Sequence, residues 1–180
     1  LSVVRPGDPN ETAYAWRSII ARGNGSGPVG FILTRQGIPV LEGTSFEGVS
    51  KGGYVLGGGT PADDADVIII GTGSELQLAV EAKKLLAEKD ITAYVVSMPC
   101  VEWFESQPKE YRDSVLPPEV SARVAGEAAV AQSWHKLVGD TGEIVSIEHY
   151  GESADDETLF REFGFTPEAV AAAAERSIAN

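Results

Sequence analysis

Two glycines that stand two positions apart, Gly71 and Gly73, follow an apolar run in the stretch DVIIIGTGSELQLAVEAKKLLAEKD. A strand, a tight turn and a helix in this order can hold a phosphate on the backbone N–H groups at the start of the helix. A dinucleotide-binding turn would also need a third glycine, where Leu76 stands, and an acidic residue near the end of the next strand, where the sequence has Ser97 and Met98. The pattern is therefore only a partial fingerprint.

The residues around this turn favour a structural role over nucleotide binding. Glu75 would lie in the first turn of the helix, where its charge would repel a pyrophosphate, and no lysine directly follows the second glycine as a Walker-type loop requires. We therefore interpret Gly71–Ser74 as a sharp connection between strand and helix, with Ser74 as the helix cap. Binding of a small regulator at this turn is the least favoured alternative.

Arg35 is a stronger candidate for binding a charged ligand. It follows the apolar run VGFIL, and the loops after the strands of a parallel sheet gather at the edge where ligands bind. A guanidinium can hold a phosphate with a forked pair of charge-assisted hydrogen bonds. On charge alone an ion pair with a nearby carboxylate such as Glu42 is the better interpretation, so both roles stay open.

The other reactive side chains indicate packing rather than catalysis. His135 and His149 are the only histidines, and neither has a partner at the spacing of metal ligands, although His149 follows a strand-like run and is the better placed. Cys100 has no basic neighbour that would lower its pKa. For Arg5 we expect a pairing with Asp8 or another acid. The sequence thus assigns no catalytic residue, no cofactor-binding residue and no metal ligand.

Acidic residues outnumber basic ones by 27 to 14, which gives a formal net charge of −13. Nucleic acids and anionic membranes both require a basic surface, so we expect neither as a partner. No apolar run reaches the roughly 18 residues of a membrane span. The single cysteine excludes an internal disulfide, which indicates the cytoplasm. The acidic stretch GESADDE lacks the alternating oxygen ligands of a calcium loop, and we expect Ser153 to cap the next helix.

From about Ser50 onward, strand-like apolar runs alternate with helical patterns. This order predicts an α/β domain of three layers, Rossmann-like, in which helices cover both faces of a mixed, mostly parallel sheet. The runs VIII and YVV are typical of strands that are buried on both faces. The helix after the glycine turn is expected from about Ser74 to Lys89.

The first residues resemble the end of a second α/β domain. Asp8, Pro9 and Glu11 predict a helix start with an N-cap, a proline in the first turn and an element of a capping box, and a short strand follows. One helix and one strand cannot form a domain alone. We therefore expect a C-terminal piece of a longer protein, with an incomplete domain over residues 1–48 and a complete one over residues 49–180.

Six segments carry a resemblance to a known family. In order along nearly the whole chain, it resembles the C-terminal part of transketolase in RPGDPNETAYAWR, LTRQGIPVLEG, KGGYVL, VIIIGTGSE, VVSMPCVEWFESQPKEYRDSVLP and HYGESADDETLFREFGFTPEAV. The combination of TRQ.IP with KGGYVL is similar to transketolase itself. The relatives that make deoxyxylulose phosphate or decarboxylate 2-oxo acids share only the general layout.

The resemblance implies a homodimer whose subunits have a diphosphate-binding, a pyrimidine-binding and a C-terminal domain. It implies transfer of a two-carbon ketol unit from a ketose phosphate to an aldose phosphate, in the pentose phosphate pathway, with thiamine diphosphate and Mg²⁺ (or Ca²⁺) as cofactors. It also implies that Arg35 contacts the terminal phosphate of the sugar phosphate. The catalytic histidines would lie upstream of these residues, as would the residues that bind cofactor and metal. The chain alone is therefore expected to be inactive and to bind neither the cofactor nor the metal.

Two other roles stay open for these residues. The chain could be a purely structural or dimerisation domain, which the sparse functional residues favour. It could also be a small-ligand regulatory domain of a related thiamine-diphosphate enzyme.

Overall fold

The computed structural model describes residues 1–180, which form a five-stranded sheet with helices on both faces and a two-stranded sheet near the start of the chain. The strands are β1 (Ser2–Val4), β2 (Val29–Phe31), β3 (Tyr54–Val55), β4 (Val67–Gly71), β5 (Ala93–Ser97), β6 (Arg123–Glu127) and β7 (Glu143–Ser146). The helices are α1 (Pro9–Arg22), α2 (Phe46–Lys51), α3 (Pro61–Asp64), α4 (Leu76–Ala87), α5 (Val101–Glu105), α6 (Lys109–Val115), α7 (His135–Val138), α8 (Asp156–Glu162) and α9 (Pro167–Ala179). Short 3₁₀ turns precede α4 and α7.

The large sheet has the strand order β3-β5-β4-β6-β7, in which four strands run parallel and β3 pairs antiparallel with β5 at one edge. The central strand β4 is buried along its whole length. Val67 and Ile69 pack in one cluster with α4 and α9, whereas Ile68 and Ile70 pack in another with α5, α6 and α7. Because both faces of the strand are covered, its sequence is a continuous apolar run. The predicted three-layer α/β fold with a mixed, mostly parallel sheet is confirmed.

The first helix begins as the sequence predicts. Asp8 is its N-cap, and its carboxylate accepts a hydrogen bond from the N–H of Glu11 at 2.6 Å. The Glu11 carboxylate accepts in turn from the N–H of Gly7 at 2.7 Å, one residue before the donor of a standard capping box. Strand β1, which the sequence does not indicate because it has only three residues, pairs parallel with β2. Together they form a small β-α-β unit.

Glu11 also joins this unit to the large sheet. Its side chain is fully buried and accepts hydrogen bonds from the hydroxyls of Tyr54, at 2.7 Å, and Ser97, at 2.6 Å. Burial raises the pKa of the Glu11 carboxyl, and the three hydrogen-bond donors act in the opposite direction. Burial and the nearby Glu11 charge raise the pKa of Tyr54, so the phenol stays protonated and remains a donor.

Two predicted helix caps are wrong. Ser74 lies inside the 3₁₀ turn before α4, and its hydroxyl donates to the Glu75 carboxylate at 2.9 Å instead of accepting from a helix N–H. Helix α8 is capped by Asp155 rather than Ser153, because the Asp155 carboxylate stands next to the first turn and accepts from the N–H of Thr158 at 2.9 Å. At α8 a carboxylate closer to the helix start thus takes the role that was assigned to the serine, whereas α4 has no side-chain cap.

A glycine at the end of α2 allows a close approach between the end of this helix and the start of α5. Gly52 has a φ of +89°, and a Cβ there would lie 2.3 Å from the carbonyl oxygen of Cys100 and 2.4 Å from the backbone N of Phe104. Both contacts are with backbone atoms, so a side-chain rotation cannot relieve them. The left-handed conformation and the contact therefore act together against any larger residue.

Replacing Gly52 with alanine is expected to lower the free energy of unfolding by about 2–5 kcal/mol, as the sum of backbone strain and overpacking. The matched control is Gly25→Ala, because a Cβ at Gly25 would meet no heavy atom within 4 Å and should change stability little. Urea denaturation of both variants measures the difference. Equal stability of the two variants would contradict the close approach.

Candidate functional site

Arg35 lies in the loop that follows β2, and its side chain is exposed. It belongs to none of the ion pairs of the structure, so the alternative pair with Glu42 is absent. The loop borders a cavity of about 480 Å³, whose opposite wall is the start of α8. The other residues that line this cavity are Thr34, Gln36, Ala154, Asp155, Asp156 and Leu159.

The neighbours of Arg35 leave its guanidinium available. The N–H of Gln36 donates to the Thr34 hydroxyl at 3.1 Å, which shapes the loop on both sides of the arginine. The carboxylate of Asp155 is occupied by the cap of α8, and its hydrogen bonds with Thr158 lower its pKa. The buried side-chain oxygen Oε1 of Gln36 has no hydrogen-bond partner. The cavity thus offers a free cation and a free acceptor, which together suit an anion that also carries hydroxyl groups.

The glycine turn at Gly71–Ser74 is filled by the chain itself. The N–H of Gly73 donates to the carbonyl of Arg5 at 3.1 Å, and the Arg5 guanidinium lies over the turn. Its Nη2 donates to Glu75 at 3.1 Å and its Nη1 donates to Glu127. The N–H of Gly73 therefore already has an internal acceptor, and the Arg5 side chain occupies the space over the turn.

Arg5, Glu75 and Glu127 form a largely buried ion cluster. Burial alone would lower the pKa of the arginine, but the bond to Glu127 and the charges of both carboxylates raise it. Burial raises the pKa of Glu75, an effect that Arg5 opposes. The indole N–H of Trp134 also donates to Glu127, at 3.0 Å. The expectation that Arg5 pairs with an acid is confirmed, with these two glutamates as partners in place of Asp8.

The two histidines and the cysteine do not come together. His135 and His149 are both exposed, and the His149 ring packs edge-on against Phe163 with 4.8 Å between the ring centres. Cys100 is buried in the cluster that joins the first helix to the sheet, and burial raises its pKa to about 12. No group of three or more His, Cys, Asp or Glu side chains is placed to hold a metal ion. No helix has the length and apolarity that crossing a membrane requires.

Sequence reasoning missed the carboxylates of Glu11 and Glu127 as organising groups. Glu127 ends the run ARVAGE, in which every residue from Val124 onward is buried, and a glutamate at the end of such a strand is a detectable signal for a paired charge. Its partner Arg5 is 122 residues away along the chain. No local pattern identifies a partner at that separation.

The chain thus carries a three-layer α/β domain, in which Arg5 lies over the glycine turn and Arg35 borders a separate cavity. Residues 52–166 match the family described as the transketolase-like TK C-terminal domain. The chain belongs to this family.

The transketolase of Mycobacterium leprae is 76% identical to the chain, and the match covers 100% of the chain and 26% of that protein. The Aquifex aeolicus transketolase is 48% identical over 95% of the chain and 25% of its own length. A solved Pichia stipitis transketolase in complex with sedoheptulose-7-phosphate is 41% identical, with a TM-score of 0.89 over 99% of the chain and 25% of that protein. The chain therefore spans about a quarter of the length of the curated relatives it matches.

Removal of the Arg5 cation is expected to lower the free energy of unfolding by about 3–5 kcal/mol near neutral pH, because Arg5→Met leaves two buried carboxylates without a cation. Burial raises the pKa of Glu75 and Arg5 opposes this effect, so in the variant the folded pKa of Glu75 would lie further above its unfolded value. Stability is then lost as the pH rises through that folded pKa. The deficit of the variant should therefore shrink as the pH falls toward about 5.

Urea denaturation at about pH 7.5 and about pH 5 measures this deficit. The control is Lys84→Met, which removes an exposed lysine paired with Glu81 and should cost at most about 1 kcal/mol at either pH. A deficit of Arg5→Met that does not depend on pH would show that the carboxylates are not the reason for it.

Proposed function

We propose that the chain is the C-terminal part of a transketolase, an enzyme that transfers a two-carbon ketol unit from a ketose phosphate to an aldose phosphate. Membership of the family and the 76% identity to a curated transketolase support the activity. In this proposal the whole protein is a cytoplasmic homodimer of the pentose phosphate pathway, and the chain contributes one part of the substrate site together with structural contacts.

The single observation that carries the role of this chain is the unpaired Arg35 at the cavity of about 480 Å³. A phosphate at the far end of a sugar would accept a forked pair of hydrogen bonds from its guanidinium. The free Oε1 of Gln36 would accept from a sugar hydroxyl. The complex of the Pichia stipitis relative with sedoheptulose-7-phosphate is consistent with a ligand of this class. Arg35 acts by positioning, since it would hold a group that is remote from the reacting carbons.

Thiamine diphosphate would supply the stabilisation of negative charge that ketol transfer requires. The residues of the chain do not fit this cofactor and its Mg²⁺ or Ca²⁺, because they offer no metal-binding cluster and Arg5 fills the glycine turn. We assign cofactor and metal to parts of the protein outside these 180 residues, and the chain alone should be inactive.

The substrate role is tested by kinetics of the full-length protein with Arg35→Ala, comparing a phosphorylated ketose donor with its unphosphorylated counterpart. Loss of a charged hydrogen bond is worth about 1.5–3 kcal/mol, so kcat/KM for the phosphorylated donor should fall by roughly 10- to 150-fold. The unphosphorylated donor should react as before.

Two further variants sharpen the Arg35 experiment. Arg35→Lys keeps the charge but loses the fork, so it should recover only part of the rate. Arg176→Ala removes an arginine that pairs with Glu143 on the surface, and it should leave both donors unaffected. If Arg35→Ala reduces the rate with both donors equally, the arginine does not bind the phosphate.

A structural role for residues 1–48 is favoured by a separate observation, the exposed apolar side chains of the β-α-β unit. Trp16 and Ile20 on α1, and Ile32 and Leu33 directly after β2, are between 52% and 74% exposed. We propose that this unit is the end of a pyrimidine-binding domain whose other elements cover these side chains, and that residues 49–180 are the C-terminal domain.

The substitution Trp16→Asp tests whether other elements of the full-length protein cover this side chain. In the 180-residue chain it should lower the melting temperature only slightly, through the lost edge-to-face contact with Phe31. In the full-length protein it should lower the melting temperature clearly more, because burying such a side chain is worth about 1.5–3 kcal/mol. Tyr150→Asp, at a position that is 96% exposed in another part of the chain, is the control. Equal small effects of Trp16→Asp in both proteins would contradict this assignment.

A further inference from the structure

Nearly all cations of the chain have a partner of opposite charge or an aromatic ring. Of the 14 lysines and arginines, eight form ion pairs with carboxylates. Three more lie over aromatic rings, namely Arg17, Arg22 and Lys83. The three that remain are Arg35, Arg112 and Arg123. In a chain with a net charge of −13, arginines without a carboxylate call for an explanation.

Arg112 and Arg123 line the same cavity, which has a volume of about 320 Å³ and lies between α5, α6 and α7. Lys136 adds a third cation to its wall, and Phe104, Leu116 and Leu137 add apolar surface. The two carboxylates of the wall are already engaged, since Glu105 accepts from Lys136 and Asp113 accepts from Lys109. The two arginines therefore give this cavity an uncompensated positive charge.

Arg123 is held in place by backbone carbonyls rather than by an acid. Its guanidinium donates to the carbonyls of Val120, Leu137, Leu116 and Pro117 at 2.8–3.2 Å. These bonds satisfy four of its five N–H groups but leave its charge without a counter-ion. Desolvation in this partly buried position lowers the pKa of the guanidinium, and no carboxylate forms an ion pair with it.

Arg112 provides the free donors. Its Nη1 donates to the carbonyls of Glu105, at 2.6 Å, and Gln107, at 3.2 Å, which fixes the orientation of the guanidinium. Its Nε and Nη2 form no hydrogen bond in the structure. These atoms make up one side of the planar fork that recognises phosphate. Capping of the ends of α6 and α7 explains the contacts of Arg123. It does not explain why Nε and Nη2 of Arg112, the open edge of this guanidinium, have no acceptor.

We propose that this cavity binds an anion that carries a phosphate group, with the open edge of Arg112 as the main donor, Arg123 as the supporting cation and Lys136 neutralising Glu105 in the wall. The site lies at the edge of the sheet where the parallel strands begin, because Arg123 is the first residue of β6. The ion cluster at Glu75 and Glu127 lies at the opposite edge, where the strands end. The proposed site does not involve Arg35 and does not rest on the ketol-transfer activity.

The test is calorimetric titration of the full-length protein with inorganic phosphate, at constant ionic strength with chloride as the reference anion. It is done in an Arg35→Gln background and on protein loaded with thiamine diphosphate, so that neither the proposed substrate site nor the cofactor site contributes. Binding should remain in that background, and the additional change Arg112→Gln should weaken it about tenfold or more. Arg112→Lys, which keeps the charge and loses the planar fork, should be intermediate.

Lys84→Gln in the same background removes one exposed cation from α4 and should leave the affinity unchanged. If Arg112→Gln does not fold, Lys136→Gln replaces it, because the Lys136 side chain is 74% exposed and its loss should not disturb the fold. That variant should weaken phosphate binding by a smaller factor. Absence of phosphate binding in the Arg35→Gln background, or unchanged affinity after loss of Arg112 or Lys136, would overturn the proposal.

Discussion

The packing of α1 against the large sheet depends on the hydrogen bonds of one buried carboxylate, that of Glu11. It collects donors from three separate places, namely the backbone just before α1, the edge strand β3 and the end of β5. A buried carboxylate is tolerated only when such partners are present, because its desolvation is costly. The three donors therefore have to be in place together, and this requirement fixes α1 against the large sheet. The same geometry brings Arg5 over the glycine turn, because β1 leads directly into α1.

The fold follows from local features of the sequence to a large extent. The apolar run Val67–Ile70 predicts a strand buried on both faces, and the start of α1 is marked by Asp8 and Pro9, because these signals depend on neighbours within a few residues. The position of Arg35 in a loop after a strand could also be predicted. The strand β2 before this loop is only half-buried, because β1 is its one neighbour in the sheet.

Contacts between residues far apart along the chain could not be predicted in the same way. The partners of Arg5 stand 70 and 122 residues away, and those of Glu11 stand up to 86 residues away. A single sequence states the residue types but not which acid a given arginine will meet. The wrong caps at Ser74 and Ser153 have a different cause. Several suitable side chains stand within three residues of each helix start, and small differences in position decide whether one of them caps, as Asp155 does at α8, or none does, as at α4.

The cations of this acidic chain differ in how firmly the protein holds them. Arg17 and Arg22 stack on Phe46 and Trp103, with 3.8 Å and 4.0 Å to the ring centres, and so help to hold α1 against α2 and α5. The carbonyl contacts of Arg123 fix its guanidinium within the domain. Arg35 has neither kind of contact. A side chain on an exposed loop loses conformational entropy when it binds a ligand. An arginine that carbonyls already hold in place loses less.

The short edge strand β3 has a consequence for the behaviour of the protein in solution. Tyr54 and Val55 cover only the last part of β5, a strand of sequence AYVVS that is rich in residues with high β-propensity. An edge of this composition, if uncovered, is a template for pairing with another chain. Tyr54 is held on that edge by its bond to Glu11. Detachment of the first helix would therefore loosen the edge strand as well, and a purely internal carboxylate thereby protects the molecule against aggregation.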